Sequence, residues 1–307
     1  SFKVYVDKYG NRYSGSGYNE SNKDLYFIGD SHTFGLGLDW KDTFVGIVES
    51  EKKNYKITNL SVPSYSPTVF YYTLQKLHKN NKLKSDKVFV LIDITDVADE
   101  SIRWNSSEEK IKPFLNFTIK NKYKGFKKFK RQNLKGSHII ATFIRESGRK
   151  IRKKLNYKNK QEKVNKKTTN EGTWPGRFTF TTFSELEGCN QSNNKNNPWN
   201  CGGISKGLMK IEKKMESFGE LIKSTNSEFY IVIFPWPETL LFGQNVFNWE
   251  NYIDRVCKIS NCKKVINLFP EFRTIKKNRE DWKEYLYLPK DFHLNINGSK
   301  ILAEKIL

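Results

Sequence analysis

The chain has 307 residues, with 54 Lys and Arg against 33 Asp and Glu, for a net charge of +21. That length is enough for a full hydrophobic core in one large domain or two small ones. The longest clear apolar run is Phe229–Phe234, far short of the roughly 20 residues a membrane-spanning helix needs, so no segment reads as a transmembrane helix.

In chain order, residues 1–20 are polar and rich in Gly, Ser, Asn and Tyr, and read as an N-terminal arm. Within it, Phe2–Val6 is expected as an edge strand paired with Arg12-Tyr13. Residues 21–307 then read as one α/β domain. A first core strand is expected over 24–29, and a helix over Thr43–Ser50, with Phe44, Ile47 and Val48 on one face. A second strand spans 55–60, a helix Pro67–Asn80 and a third, fully buried strand 87–92. Beyond an interruption at 105–204 come an amphipathic helix over Met209–Lys223, a strand over 229–234, a helix over Trp249–Ile259 and a short strand over 265–268. Strands alternating with helices predict a parallel sheet in a three-layer α/β/α sandwich. In such sheets sites form beyond the C-terminal ends of the strands. Ser31, Ser64 and Thr95 each fall just after a predicted strand.

The interruption at 105–204 reads as a helical and loop-rich cap with basic outer faces. Residues 110–167 hold 21 Lys and Arg against Glu146 and Glu162, so +19 of the net charge is local; the rest of the chain is nearly balanced, 33 basic against 31 acidic. Three readings of this segment are open. It attracts an anionic polysaccharide or an anionic membrane surface through summed charge; it binds nucleic acid, which no accompanying motif supports; or it is a solvated face. A nucleic-acid partner is not expected.

Cys189 and Cys201, and Cys257 and Cys262, form two local pairs with none left over, which reads as two disulfides in an oxidising compartment, with four reduced, unrelated thiols as the alternative. The spacings are not those of a zinc knuckle or ribbon and no histidine lies near either pair, so no metal is expected. The chain begins at Ser1 rather than Met, which fits a trimmed form. The expected location is extracytoplasmic, with an anchor outside this sequence as one version.

The strand Leu25-Tyr26-Phe27-Ile28 ends abruptly in Gly29-Asp30-Ser31-His32, and Asp291-Phe292-His293 lies about 260 residues on. A serine hydroxyl becomes nucleophilic when a histidine takes its proton and a carboxylate holds that histidine in the right tautomer. On Ile28-Gly29-Asp30-Ser31, and on Asp291-Phe292-His293-Leu294-Asn295-Ile296-Asn297-Gly298 with its following helical pattern Ile301, Leu302, Ile306, the chain resembles the SGNH (GDSL-like) hydrolases. The resemblance covers roughly 21–104 and 205–307. It implies Ser31 as nucleophile, His293 as general base and Asp291 as the residue that orients it, with no metal or organic cofactor. The family spacing Asp-x-x-His is one residue shorter here.

Two intermediate blocks depart further. Asn59-Leu60-Ser61-Val62-Pro63-Ser64 resembles the family's second block, with Ser64 where glycine usually offers an oxyanion-hole N–H; serine offers the same group if a residue with a Cβ can adopt the backbone conformation. Thr95, after the strand ending at Ile92, stands where the family has an asparagine donor. The implied oxyanion hole is therefore Ser31, Ser64 and Thr95, with His32 and Trp236 as substrate-contact candidates. By resemblance the activity is a serine esterase removing O-acyl groups, acetyl foremost, from a carbohydrate. An O-acetyltransferase using the same acyl-enzyme, and a non-catalytic glycan-binding or assembly module, are the alternatives.

Overall fold

A computed structural model describes residues 2–18, 21, 23–80, 83, 85–104, 203–244, 247–289 and 291–307. The basic segment 110–167, nearly all of the expected cap at 105–204, and the Cys189/Cys201 pair lie outside the described residues. Among the described residues the sheet has seven strands. β1 (Tyr5–Val6) and β2 (Arg12–Tyr13) form the antiparallel hairpin expected of the arm. β3 (Asp24–Ile28), β4 (Lys56–Asn59), β5 (Lys87–Leu91), β6 (Glu228–Ile233) and β7 (Lys264–Asn267) pair in parallel, and the spatial order is β1-β2-β4-β3-β5-β6-β7.

Four consecutive residues in each of β3 and β5 are buried, the pattern of strands covered on both faces rather than one. The covering helices segregate accordingly. α1 (Ser31–Phe34) is a single turn. α2 (Phe44–Glu51) packs against the C-terminal helix, and α3 (Pro67–Lys79) against the long helix that follows residue 202. α4 (Thr95–Ala98) opens the loop after β5. That long helix is α5 (Gly203–Lys223); α6 (Pro237–Phe242), α7 (Trp249–Ile259), α8 (Phe269–Asn278), α9 (Trp282–Leu286) and α10 (Ile296–Ile306) complete the described set. α3, α5 and α7 form one layer, and α2, α10 and α9 the other. This is the expected α/β sandwich, with its core built on Phe27, Phe89, Val90, Ile231 and their neighbours. Cys257 and Cys262 form a disulfide between the end of α7 and the turn into β7. None of the described helices is long and apolar enough to cross a membrane.

The N-terminal hairpin does more than extend the sheet. Arg12, on its second strand, is fully buried, and its guanidinium donates to the carbonyls of Phe34 and Gly35 at 2.6 Å and of Leu38 at 2.5 Å. Burial lowers its pKa to about 10, with Asp39 opposing that shift. These carbonyls lie at and beyond the end of α1, where Gly35 takes the left-handed conformation (φ 77°) that closes the turn.

Candidate active site

Gly29, Asp30 and Ser31 turn the end of β3 into α1. A Cβ at Gly29 would collide with Thr33 Oγ1, so the turn requires glycine at this close approach. Asp30 caps the turn by accepting from the His32 N–H at 2.9 Å, which presents Ser31 at the first helical position. The loop after β4 continues alongside: the Leu60 N–H donates to the Phe27 carbonyl and that of Val62 to the Gly29 carbonyl. Ser64 follows two residues later in the same loop, beyond the end of β4.

Facing the serine, residues 287–289 and 291–294 run antiparallel to each other. Tyr287 pairs with Leu294, Leu288 N–H donates to the His293 carbonyl, and Asn295 N–H donates to the Leu286 carbonyl. Asn295 then caps α10 through Oδ1 while its amide donates to the carbonyls of Glu284 and Tyr287. The tip of this turn carries Asp291, Phe292 and His293.

The structure brings Ser31, His293 and Asp291 together. His293 Nε2 lies 2.8 Å from Ser31 Oγ, and His293 Nδ1 lies 2.7 Å from Asp291 Oδ1. With the Nδ1–H donating to the carboxylate, the Nε2 lone pair faces the serine hydroxyl. Asp291 Oδ1 also accepts the N–H groups of Phe292 (2.7 Å) and His293 (3.2 Å). Partial burial pushes the Asp291 carboxyl up, but the hydrogen bond and charge of His293 outweigh it and hold the group well below the usual carboxylate range. The shortened Asp-x-His spacing thus still closes the contact, within a single turn.

Ser64 takes a left-handed backbone, φ 68°, the region that favours glycine. Among the described residues, the N–H groups of Ser31 and Ser64 donate to no acceptor. Thr95 is placed differently from an open donor: its hydroxyl and its N–H both donate to Asp93 Oδ1, at 2.5 and 2.7 Å. Trp236 is 2% exposed, so it lines no open surface. Its Nε1 donates to Asp93 Oδ2, and the partly exposed Phe292 lies flat on it, centroids 4.1 Å apart. His32 is buried in the same ring cluster, 4.6 Å from the His293 ring, and burial holds it well below its ordinary pKa, with the neighbouring His293 adding to the shift.

Asp30, Asp93 and Asp96 form a buried acidic cluster next to the serine. Burial, and then the charge of Asp93, push the Asp30 carboxyl up; burial does the same for Asp93 and for Asp96, which accepts the Asp93 N–H. Asp30, His32 and Asp93 present donor atoms within 4.8 Å of one another and are the residues that could approach a metal ion among the described set. The carboxylates are already engaged, by His32 N–H and Ser31 on Asp30, and by Thr95 and Trp236 on Asp93.

A raised carboxyl pKa means the folded state holds its proton to higher pH than the unfolded state, whose value is about 3.9, so stability falls as pH rises from there through the folded value. Asp96→Asn keeps an acceptor for the Asp93 N–H and removes the buried charge. It is expected to raise Tm by about 2–4 °C at pH 7.5, with no gain at pH 3.5; thermal melts at the two pH values check this.

No protein-family model and no curated protein matches the sequence. Among solved structures, the chain is similar to an alpha/beta hydrolase enzyme from the metagenome of Lake Arreo, Spain (11% identity, 94% of each chain, TM-score 0.47). It is similar to a member of the lipolytic protein G-D-S-L family from Veillonella parvula (11% identity, 92% of this chain and 95% of that one, TM-score 0.46). A mutant of an acetylxylan esterase from Geobacillus stearothermophilus gives 14% identity, 94% and 93% coverage and a TM-score of 0.44.

Proposed function

We propose that this chain is a serine esterase of the SGNH type acting on O-acylated carbohydrate. The observation that carries the reading is the continuous relay from Ser31 Oγ through His293 to Asp291, with contacts of 2.8 and 2.7 Å. Ser31 Oγ attacks the ester carbonyl as its proton passes to His293 Nε2. Asp291, held ionised, stabilises the imidazolium. The oxyanion that forms is held by the free N–H groups of Ser31 and Ser64. His293 returns the proton to the departing sugar alkoxide, leaving an acyl-Ser31. Water adds to the acyl carbonyl as its proton passes to the same Nε2; the acyl–Oγ bond then breaks, Ser31 Oγ takes that proton back, and the carboxylic acid leaves. No step calls for a metal or organic cofactor. Thr95 supports this reading through Asp93 rather than as a donor to the oxyanion.

Phe292, partly exposed beside His293, offers an aromatic ring of the kind whose face stacks on the C–H face of a sugar. The Cys257–Cys262 disulfide supports an extracytoplasmic location. The basic segment 110–167 would add attraction for an anionic polysaccharide or membrane surface.

The test is acyl-enzyme trapping. Mixing the protein with p-nitrophenyl acetate is expected to give a p-nitrophenol burst equal to the enzyme concentration and one acetyl group on the peptide bearing Ser31. Acetate release from an acetylated oligosaccharide then fixes an esterase, whereas acetyl appearing on an added oligosaccharide acceptor moves the assignment to an O-acetyltransferase. No burst and no acetylated Ser31, with this and longer esters, would leave a glycan-binding module as the better reading.

A further inference from the structure

We propose that Trp104 is a positioning residue for the oxyanion hole: its indole N–H holds Ser64 in the left-handed conformation that glycine would adopt unaided. The inference deepens the esterase reading and rests on it for its kinetic consequence, though not for its structural one.

Among the described residues three non-glycine residues have positive φ: Ser64, Asn226 and Asn261. Asparagine visits this region readily; serine, with a Cβ facing the following carbonyl, does so at a cost. Something must therefore favour it at position 64. The peptide between Ser64 and Tyr65 is held at both ends. Its N–H donates to the Val62 carbonyl at 3.1 Å, and its carbonyl accepts from Trp104 Nε1 at 3.3 Å. The Trp104 ring also meets the Tyr65 ring edge-on, at 90° and 6.2 Å. Returning Ser64 to negative φ would swing this peptide, break the indole contact, and turn the Ser64 N–H away from the crevice.

Trp104 is itself firmly seated. It is 7% exposed, its N–H donates to the Asp99 carbonyl, and its carbonyl accepts from Lys210 Nζ. Lys210 pairs with the buried carboxylate of Glu100 at 3.2 Å. Glu100 in turn accepts from Ser66 Oγ, Thr68 N–H and Thr68 Oγ1 at 2.6–2.7 Å. One frame thus grips the chain at Ser64 and again at 66–68, on either side of the turn that aims the Ser64 N–H.

Trp104→Phe removes the indole N–H while keeping an aromatic ring against Tyr65, and Ser64→Gly removes the steric reason for the clamp. The first readout needs no turnover. A crystal structure of Trp104→Phe is expected to show residue 64 at negative φ, and one of Trp104→Phe/Ser64→Gly to show positive φ again. A positive φ retained at Ser64 in Trp104→Phe overturns the proposal, whatever the activity.

The second readout is kinetic. Trp104→Phe is expected to lower kcat for ester hydrolysis about tenfold, with KM within twofold, because a displaced donor weakens the transition state more than substrate binding. Trp104→Phe is expected to cost less than about twofold when introduced into Ser64→Gly. Equal losses from Trp104→Phe in both backgrounds would mark a merely structural role and overturn the proposal. A Ser64 that leaves positive φ without loss of kcat keeps the clamp and removes Ser64 from the oxyanion hole, so the two readings fail separately.

Discussion

Alanine at position 31 is expected to lower kcat for release of acetate from an acetylated oligosaccharide by about 10⁶-fold, the scale seen when the nucleophile of a serine triad is removed. The size follows from the geometry. Ser31 Oγ is the atom that His293 Nε2 faces at 2.8 Å, and without it the base has only water to activate. The residual rate then comes from the N–H groups of the crevice and from binding. The substitution leaves the turn in place, because Asp30 caps it through the His32 N–H and touches Ser31 Oγ only at 3.3 Å. A Tm within a few degrees of the parent is therefore expected, and unfolding cannot stand in for the kinetic loss. A Ser31→Ala protein retaining more than about 1% of the parent rate would exclude the serine mechanism.

Asp291 separates two contributions that are usually lost together. Asp291→Ala is expected to lower kcat by about 3 × 10⁴-fold, removing both the charge and the group that fixes the imidazole. Asp291→Asn is expected to cost less than about 10³-fold, contrary to the roughly 10⁴-fold loss where an amide imposes the wrong tautomer. Here the oxygen facing His293 Nδ1 also accepts the N–H groups of Phe292 and His293. Those two donors hold the amide of an asparagine with its oxygen toward the ring, so the productive tautomer survives and only the charge is lost. Equal losses in the two variants, measured on the same acetylated oligosaccharide, would show that the backbone does not dictate the orientation. The pH dependence follows the same carboxylate. Its folded pKa is depressed, so its contribution to stability is complete above about pH 4, the unfolded value, and is lost only as pH falls toward the folded one. The parent keeps Asp291 ionised wherever the enzyme is folded near neutrality.

The central parallel strands β3 and β5 were legible because burial on both faces writes them as short apolar runs, and the hairpin of the arm because its two segments flank a turn. α8 and α9 escaped notice: they are short, carry Lys, Arg and Glu over much of their surface, and bury little beyond Phe269, Phe272, Trp282 and Leu286. At the site, the pairing of Ser31 with Asp291 and His293 was expected from the resemblance carried by two short motifs in the right order. The direction of a side chain was not. Thr95 turns to Asp93 because that carboxylate lies two residues back on the same turn, and Trp236 is drawn inward by the same group. Arg12 read as one more polar residue of the arm, since nothing in its neighbours announces four carbonyl oxygens around a buried guanidinium. Trp104 gave no sign of its partner forty positions earlier.

The separation of 262 residues between the serine and its base has a consequence for biosynthesis. A nascent chain that has passed Asn267 already carries every strand of the sheet and the crevice at its edge, and domains tend to consolidate as they emerge. That intermediate holds Ser31 in place with nothing to take its proton. The contacts of His293 and Asp291 that the proposed mechanism uses form only when the turn carrying them has been translated and pinned by Asn295. On the proposed mechanism the hydrolytic centre is therefore completed only after the sheet that carries Ser31 has been made.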